Sequence, residues 1–462
     1  KNFLEYSIAQ INEMVEMIRG KLAKLVSTML SALMVLDVHA RETTRILVNK
    51  NVNSMYDFEW TRQLRYYWED DVDDVVIRQT NTYFLYSYEY IGNGGRLVIT
   101  PLTDTCYMTL TGALHLGFGG APAGPAGTGK TETTKDLAKA LARQCVVFNC
   151  SDSLDINIMG RFFKGLVSAG AWACFDEFNR INIEVLSVIA QQIMNIQNAI
   201  AKDLSRFNFE GEMVPCSKNF GVFITMNPGY AGRTELPDNL KSLFRPVAMM
   251  VPDYGLIAEI ILYAQGFGEA KTLSNKMAQL YQLSSEQLSK QDHYDFGMRA
   301  VKSVLVAAGK LKTKNPDTNE DLLLIRAMRD SNVPKFLEVD LPLFFGILRD
   351  LFPGIDVPFV DYGTLQEAVE HQIELAGLTI VPALVSKIIQ IHETQIVRHG
   401  MMVVGQSGSG KSTAQEILAR ALTELHDAGE IDKAGLYQVC QQFILNPKSI
   451  SAGTLYGEFN AL

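Results

Sequence analysis

The chain has no apolar run long enough to cross a bilayer. The longest near its start, residues 25–38, is interrupted by Ser27, Thr28, Ser31 and Asp37. No signal peptide is visible either, although a chain opening on Lys1 is not expected to preserve a natural N-terminus or any targeting signal before it. Positive charge is also scarce. With 42 Lys and Arg against 51 Asp and Glu the formal net charge is −9, and no strongly basic domain offsets it, which excludes a general nucleic-acid surface. Cysteines number six and are scattered, which excludes a disulfide scaffold; Cys145, Cys150 and Cys174 fall in strand-like apolar runs and read as reduced core thiols of a cytosolic-type compartment. The Cys145–Cys150 spacing has no second pair or histidine cluster to make it a metal site, so core packing is the reading. What remains is a 462-residue chain, apolar enough for about three domains.

Against that background one octapeptide stands out. Gly124, Pro125, Ala126, Gly127, Thr128, Gly129, Lys130 and Thr131 form a complete G-x-x-x-x-G-K-S/T phosphate loop. Its glycines let backbone N–H groups turn toward phosphate oxygens, Lys130 brings a cation to the β- and γ-phosphates, and the Thr131 hydroxyl suits Mg²⁺. From Glu132 to Ala142 helix formers and apolar positions recur at helical spacing, which puts the phosphates at a helix N-terminus. Asp176 lies 46 positions past Lys130, where the apolar run 171–175 ends in Asp176-Glu177. Such a strand end delivers one carboxylate to the metal and a second to the attacking water; the plainer reading is a solvated strand end. Residues 220–226 form another strand-like run ending at Asn227, 50 positions after Glu177. Asn227 either orients the water or γ-phosphate from the C-terminal end of a parallel strand, or merely opens the Asn227-Pro228-Gly229 turn. Arg299, in Gly297-Met298-Arg299-Ala300, either reaches back to the phosphates or lies on a solvated helix face. Leu97 and Val98, in the run 97–102, pack either on an adenine ring or into an ordinary core.

A second phosphate loop follows: Gly405, Gln406, Ser407, Gly408, Ser409, Gly410, Lys411 and Ser412, 281 residues after the first. The apolar run 401–404 before it reads as a strand and 413–425 as a helix, so the chain carries two nucleotide-binding modules. No apolar run between 425 and 462 ends in an acidic pair. Either that pair lies past the end of this chain, the favoured expectation, or the second site binds nucleotide without cleaving it.

Residues 1–90 show helical periodicity at Ile8, Ile11, Met14, Val15, Ile18 and Leu22, with a strand or packed connector at 82–90. The pattern predicts an α/β nucleotide-binding unit over 91–252, a small helical subdomain over 253–365, and the start of a second α/β unit over 366–462.

The order of phosphate loop, Asp-Glu strand, Asn strand and G-x-R-A helix resembles an AAA+ ATPase module. The strings 125–132, 170–180 and 239–246 are similar to the first AAA+ module of a dynein heavy chain, and 65–70 and 144–152 resemble the axonemal branch. The resemblance implies a parallel sheet with flanking helices plus a small helical subdomain, preceded by the end of a helical linker at 1–90 and followed by a partial second module. It implies ATP or ADP with Mg²⁺ as cofactors, Lys130 and Thr131 on phosphate and metal, Asp176 supporting the metal, Glu177 activating water, and Asn227 and Arg299 as the two sensors. It further implies a motor that acts on microtubules through a stalk absent from this chain, together with other dynein heavy, intermediate and light chains, in the cytoplasm and cytoskeleton of a ciliary or flagellar axoneme, without nucleic-acid or membrane partners. A protein-remodelling AAA+ ring is the rival reading; a nucleotide-locked scaffold is a third.

Overall fold

The computed structural model describes the chain apart from residues 1, 21, 93, 152, 153, 155, 228–234, 356–361, 398, 399, 433, 434 and 458–462. It divides into two compact units, residues 1–324 with 346–351, and 325–345 with 352–462.

The first unit opens with helices α1 (Asn2–Arg19) and α2 (Lys24–Asn49). Ile11, Met14 and Val15 share a face by their three- and four-residue spacing and pack with Met34, Val35 and Val38 of α2. After the single turn α3 (Phe58–Thr61) the helical pattern ends, and the strand expected within 82–90 is joined by two others. The chain instead forms an antiparallel sheet of β1 (Arg65–Glu69), β2 (Asp74–Gln79) and β3 (Thr82–Leu85), with Tyr66 opposite Ile77 and Ile77 opposite Phe84. β-Branched and aromatic residues dominate these strands. The two-residue turn at Thr80 and Asn81, with Thr80 at φ 50°, fixes the β2–β3 register.

Then follow α4 (Pro101–His115), β4 (Gly119–Ala123), α5 (Lys130–Ala140), β5 (Cys145–Asn149), α6 (Ile156–Ala169), β6 (Trp172–Asp176), α7 (Ile183–Ala201), the hairpin of β7 (Arg206–Phe209) and β8 (Glu212–Pro215), β9 (Gly221–Ile224), α8 (Asp238–Lys241) and β10 (Phe244–Ala248). Five of these strands make a parallel sheet in the order β10-β4-β9-β6-β5. Side chains alternate along β6, so Ala173 and Phe175 join a core with α6 and α7 while Trp172 and Cys174 join one with α4 and α5. A sheet covered on both faces by helices needs apolar residues along its strands, and β9 has them throughout and β6 up to Phe175, before its terminal Asp176.

Helices α9 (Tyr254–Ala264), α10 (Ala270–Gln287) and α11 (Met298–Lys314) complete the first unit's helical part, and α12 (Glu320–Asn332) and α13 (Leu341–Leu351) run across the division between units. In the second unit, α14 (Thr364–Leu375), α15 (Pro382–Val397) and α16 (Lys411–Asp427) share a core of Leu365, Val369, Ile388, Ile417, Ala421 and Leu425. A two-residue pairing of β11 (Ile431–Asp432) with β12 (Gly435–Leu436) and the short helix α17 (Ala452–Tyr456) follow. Residues 401–404, expected to be a strand, belong to no strand, and Met402 and Val404 are exposed. No neighbouring strand among the described residues accepts them.

Candidate functional site

The first phosphate loop leaves the C-terminal end of β4 and runs into α5. Close packing dictates its first glycine: a Cβ at Gly124 would lie 2.0 Å from the Met249 carbonyl oxygen. Gly129, at φ 83°, is the left-handed residue from which α5 starts. Lys130 is buried, and its Nζ donates to the Gly124 oxygen at 2.9 Å and the Pro125 oxygen at 2.6 Å, so its charge is held inside the loop's own curl. Thr128 Oγ1 donates to the same Pro125 oxygen at 3.0 Å, while Pro125 and Ala126 face solvent. Glu132 turns outward and pairs with Lys135 at 3.0 Å on the exposed side of α5.

The sheet brings the acidic strand to this loop. Thr131 Oγ1 donates to Asp176 Oδ1 at 2.9 Å across 45 positions of sequence. Thr225 Oγ1 also donates to Asp176 Oδ1 and accepts from the Glu177 backbone N–H at 3.2 Å. Glu177 has left-handed backbone, φ 54° and ψ 42°, which turns its side chain out of line with β6. Non-glycine residues adopt that geometry rarely, and they concentrate where function demands a particular aim. Its carboxylate receives Asn227 Nδ2 at 3.4 Å and lies 2.6 Å from Arg180 Nε. The strand order explains the meeting: β9 lies between β4 and β6, so Asn227, just beyond β9, sits between the phosphate loop and the acidic pair. The Asn227-Pro228-Gly229 turn lies outside the described residues after Asn227.

Two hard oxygens, Thr131 Oγ1 and Asp176 Oδ1, thus stand together where the loop enters α5, a donor set that fits Mg²⁺ beside a phosphate. Among the described residues no group of three or more His, Cys, Asp or Glu is arranged to hold a metal ion by itself. Cys145 and Cys150 are free thiols at the two ends of the β5 segment, and burial pushes both up to about 12.

Other expected residues lie elsewhere. Arg299 is exposed in the first turn of α11, and no hydrogen bond or ion pair joins it to the phosphate loop among the described residues. Val98 is buried among Ile11, Met14, Met34, Val38 and Ile260, so its side chain is taken up by a core. The Leu97 backbone N–H is held by Asp136 Oδ1 at 3.0 Å. Sequence reasoning passed over Thr225, Arg180 and Asp136. Thr225 carried a signal, a hydroxyl inside a run otherwise apolar from 220 to 226; the other two look like ordinary helix-surface charges until the fold is known.

The second loop repeats the first locally. Lys411 Nζ donates to the Gly405 oxygen at 2.8 Å and the Gln406 oxygen at 2.6 Å, Ser409 Oγ donates to the Gln406 oxygen at 2.8 Å, and Gly410 starts α16 at φ 79°. Ser407 and Gly408 are exposed, and so is Ser412, which makes no hydrogen bond to a carboxylate among the described residues.

A parallel sheet in which the interior strand β4 feeds a phosphate loop, the adjacent strand β9 leads to an asparagine and the next strand, β6, ends in an acidic pair defines a nucleotide-binding module of the AAA+ class. Residues 86–412 match the family described as the hydrolytic ATP-binding site of the dynein motor region. The chain belongs to that dynein motor-region family. It is 61% identical over 453 residues, 98% of its length, to mouse (Mus musculus) dynein axonemal heavy chain 1. It is 58% identical over all 462 residues to human (Homo sapiens) dynein axonemal heavy chain 6, and 57% identical over 461 residues to mouse dynein axonemal heavy chain 3. The chain spans 11% of the length of each of these relatives.

Proposed function

We propose that this chain carries the ATP-cleaving site of an axonemal-type dynein motor, and that the site is the first phosphate loop. The observation that carries the reading is the Thr131–Asp176 contact at 2.9 Å with Glu177 as the next residue. Lys130 exchanges its two loop carbonyls for phosphate oxygens when a triphosphate enters, which costs little because the ammonium already faces the loop interior. Thr131 and Asp176 would hold Mg²⁺, which would draw charge from the β- and γ-phosphates. Thr225 keeps Asp176 aimed at Thr131. Glu177 takes the proton of the attacking water, and Asn227 fixes the direction of the Glu177 carboxylate.

Microtubules as the track, other dynein subunits as partners and the axoneme as location are supported by the names of the relatives. In the full-length heavy chain, Glu177→Gln is expected to retain ATP while turnover falls at least about a hundredfold, the usual worth of a positioned base. Unchanged turnover would remove Glu177 from its role. Stimulation of turnover by microtubules separates a motor from a protein-remodelling ring, which would not respond.

A further inference from the structure

Asp136 lies on α5, six residues beyond Lys130 and about 9 Å along the helix axis from it. Its side chain is only 4% exposed and gathers four donors. Arg96 supplies a two-pronged contact, Nε to Oδ1 at 2.9 Å and a second guanidinium nitrogen to Oδ2 at 3.0 Å. The Leu97 backbone N–H reaches Oδ1 at 3.0 Å, and the Tyr107 hydroxyl reaches Oδ2 at 2.7 Å. Burial alone would push this carboxyl up, but the Arg96 contact and charge together with the Leu97 N–H hold it below the usual range. Lys139 Nζ adds a bond to the Gly95 oxygen at 3.1 Å. The helix that begins in the phosphate loop is therefore tied to residues 95–97.

Buried ion pairs contribute little net stability compared with apolar residues of the same shape, and their best-attested use is to fix one arrangement among several. The second loop shows that a phosphate-loop helix does not require this cluster. Six residues after Lys411 stands Ile417, buried in plain apolar packing. The acid at 136 thus has a task specific to the first site.

We propose that Asp136 is a positioning residue that sets the separation between the phosphate loop and the segment 95–97, and so governs how well the first site holds the base end of its nucleotide. The proposal rests on the hydrolysis reading above and on half-buried Leu97, whose N–H Asp136 holds, bordering the base. A nucleotide touches both ends at once, so losing the tie loosens recognition of the base while leaving the phosphate loop intact.

The test uses the full-length heavy chain with ATP as substrate and the Mg²⁺ complex of inorganic tripolyphosphate, which has no base, as competing inhibitor. For Asp136→Asn the KM for ATP is expected to rise about tenfold, with kcat changing far less, while the Ki of tripolyphosphate stays within about twofold of wild type. Arg96→Lys keeps the charge and loses the fork; it is expected to shift KM in the same direction by about threefold, and it decides the matter if Asp136→Asn does not fold. A parallel rise of KM and Ki, the mark of a merely structural role, overturns the proposal, as does a KM within about twofold of wild type in both variants. Absence of turnover in the unsubstituted chain would instead strike the hydrolysis assignment.

Discussion

The two phosphate loops of this chain are nearly the same object locally and differ in everything around them. In both, a glycine in the left-handed region starts the helix, at φ 83° and 79°, and the lysine ammonium is bonded to two carbonyls of its own loop. Around the first, the parallel sheet brings in Asp176, Thr225 and Asn227. Around the second, residues 401–404 have no strand partner and no carboxylate reaches Ser412 among the described residues. An octapeptide thus suffices to shape a phosphate cradle. A site able to cleave needs residues distant in sequence that only a sheet delivers.

The sharpest way to break this comparison is to remove each lysine in the full-length protein. Lys130→Ala is expected to lower ATP turnover at least about a hundredfold, comparable to losing a preorganised cation at developing charge, while Lys411→Ala changes it less than about threefold. Equal losses measured in steady-state assays would show that the second loop also cleaves or that the first depends on it.

The glycines offer a second contrast. A methyl at Gly124 meets a backbone carbonyl at 2.0 Å, whereas one at Gly405 meets the Ser409 hydroxyl at 2.8 Å, the movable end of a side chain. Overpacking against backbone costs about 1–3 kcal/mol, so Gly124→Ala should weaken ATP binding about tenfold or more while Gly405→Ala leaves it within about threefold. Nucleotide titration of the two variants reads this directly, and a mild Gly124→Ala would show that the loop has more room than its packing indicates.

Thr225 gives the smallest expected effect. Thr225→Val keeps the shape and removes the hydroxyl that serves both Asp176 and the Glu177 N–H; at about 1 kcal/mol for each lost bond, turnover should fall about five- to thirtyfold with ATP affinity little changed. A drop in affinity without a drop in kcat would place Thr225 in binding instead of in aiming Asp176.

Much of this site is legible from local sequence, because phosphate binding by a loop is a local act. Gly124 to Thr131 declare themselves, and Asp176-Glu177 at the end of an apolar run declare the strand that carries them. β4 is harder to read: Gly119-Gly120-Ala121-Pro122-Ala123 has no β-branched residue and includes a proline, yet it forms a paired strand, since its small residues admit the rings of Phe223 and Phe244. Of the antiparallel sheet at 65–85 only the last strand was legible, in the β-favouring run 82–90; helical periodicity earlier in the region hid the first two. Arg299 shows the opposite case, a residue suggested by motif order whose side chain is exposed without a bond to the loop among the described residues. Asp136 was unreadable because its partners Arg96 and Tyr107 are 40 and 29 positions away.

By itself the amino-acid order determined the shape of both loops, because glycine conformations and a helix start depend only on neighbouring residues. Strand order was decided in three dimensions, by which apolar faces found cover. That order placed β9 between β4 and β6, and with it chose Thr225 and Asn227 as companions of the acidic pair beside the first loop.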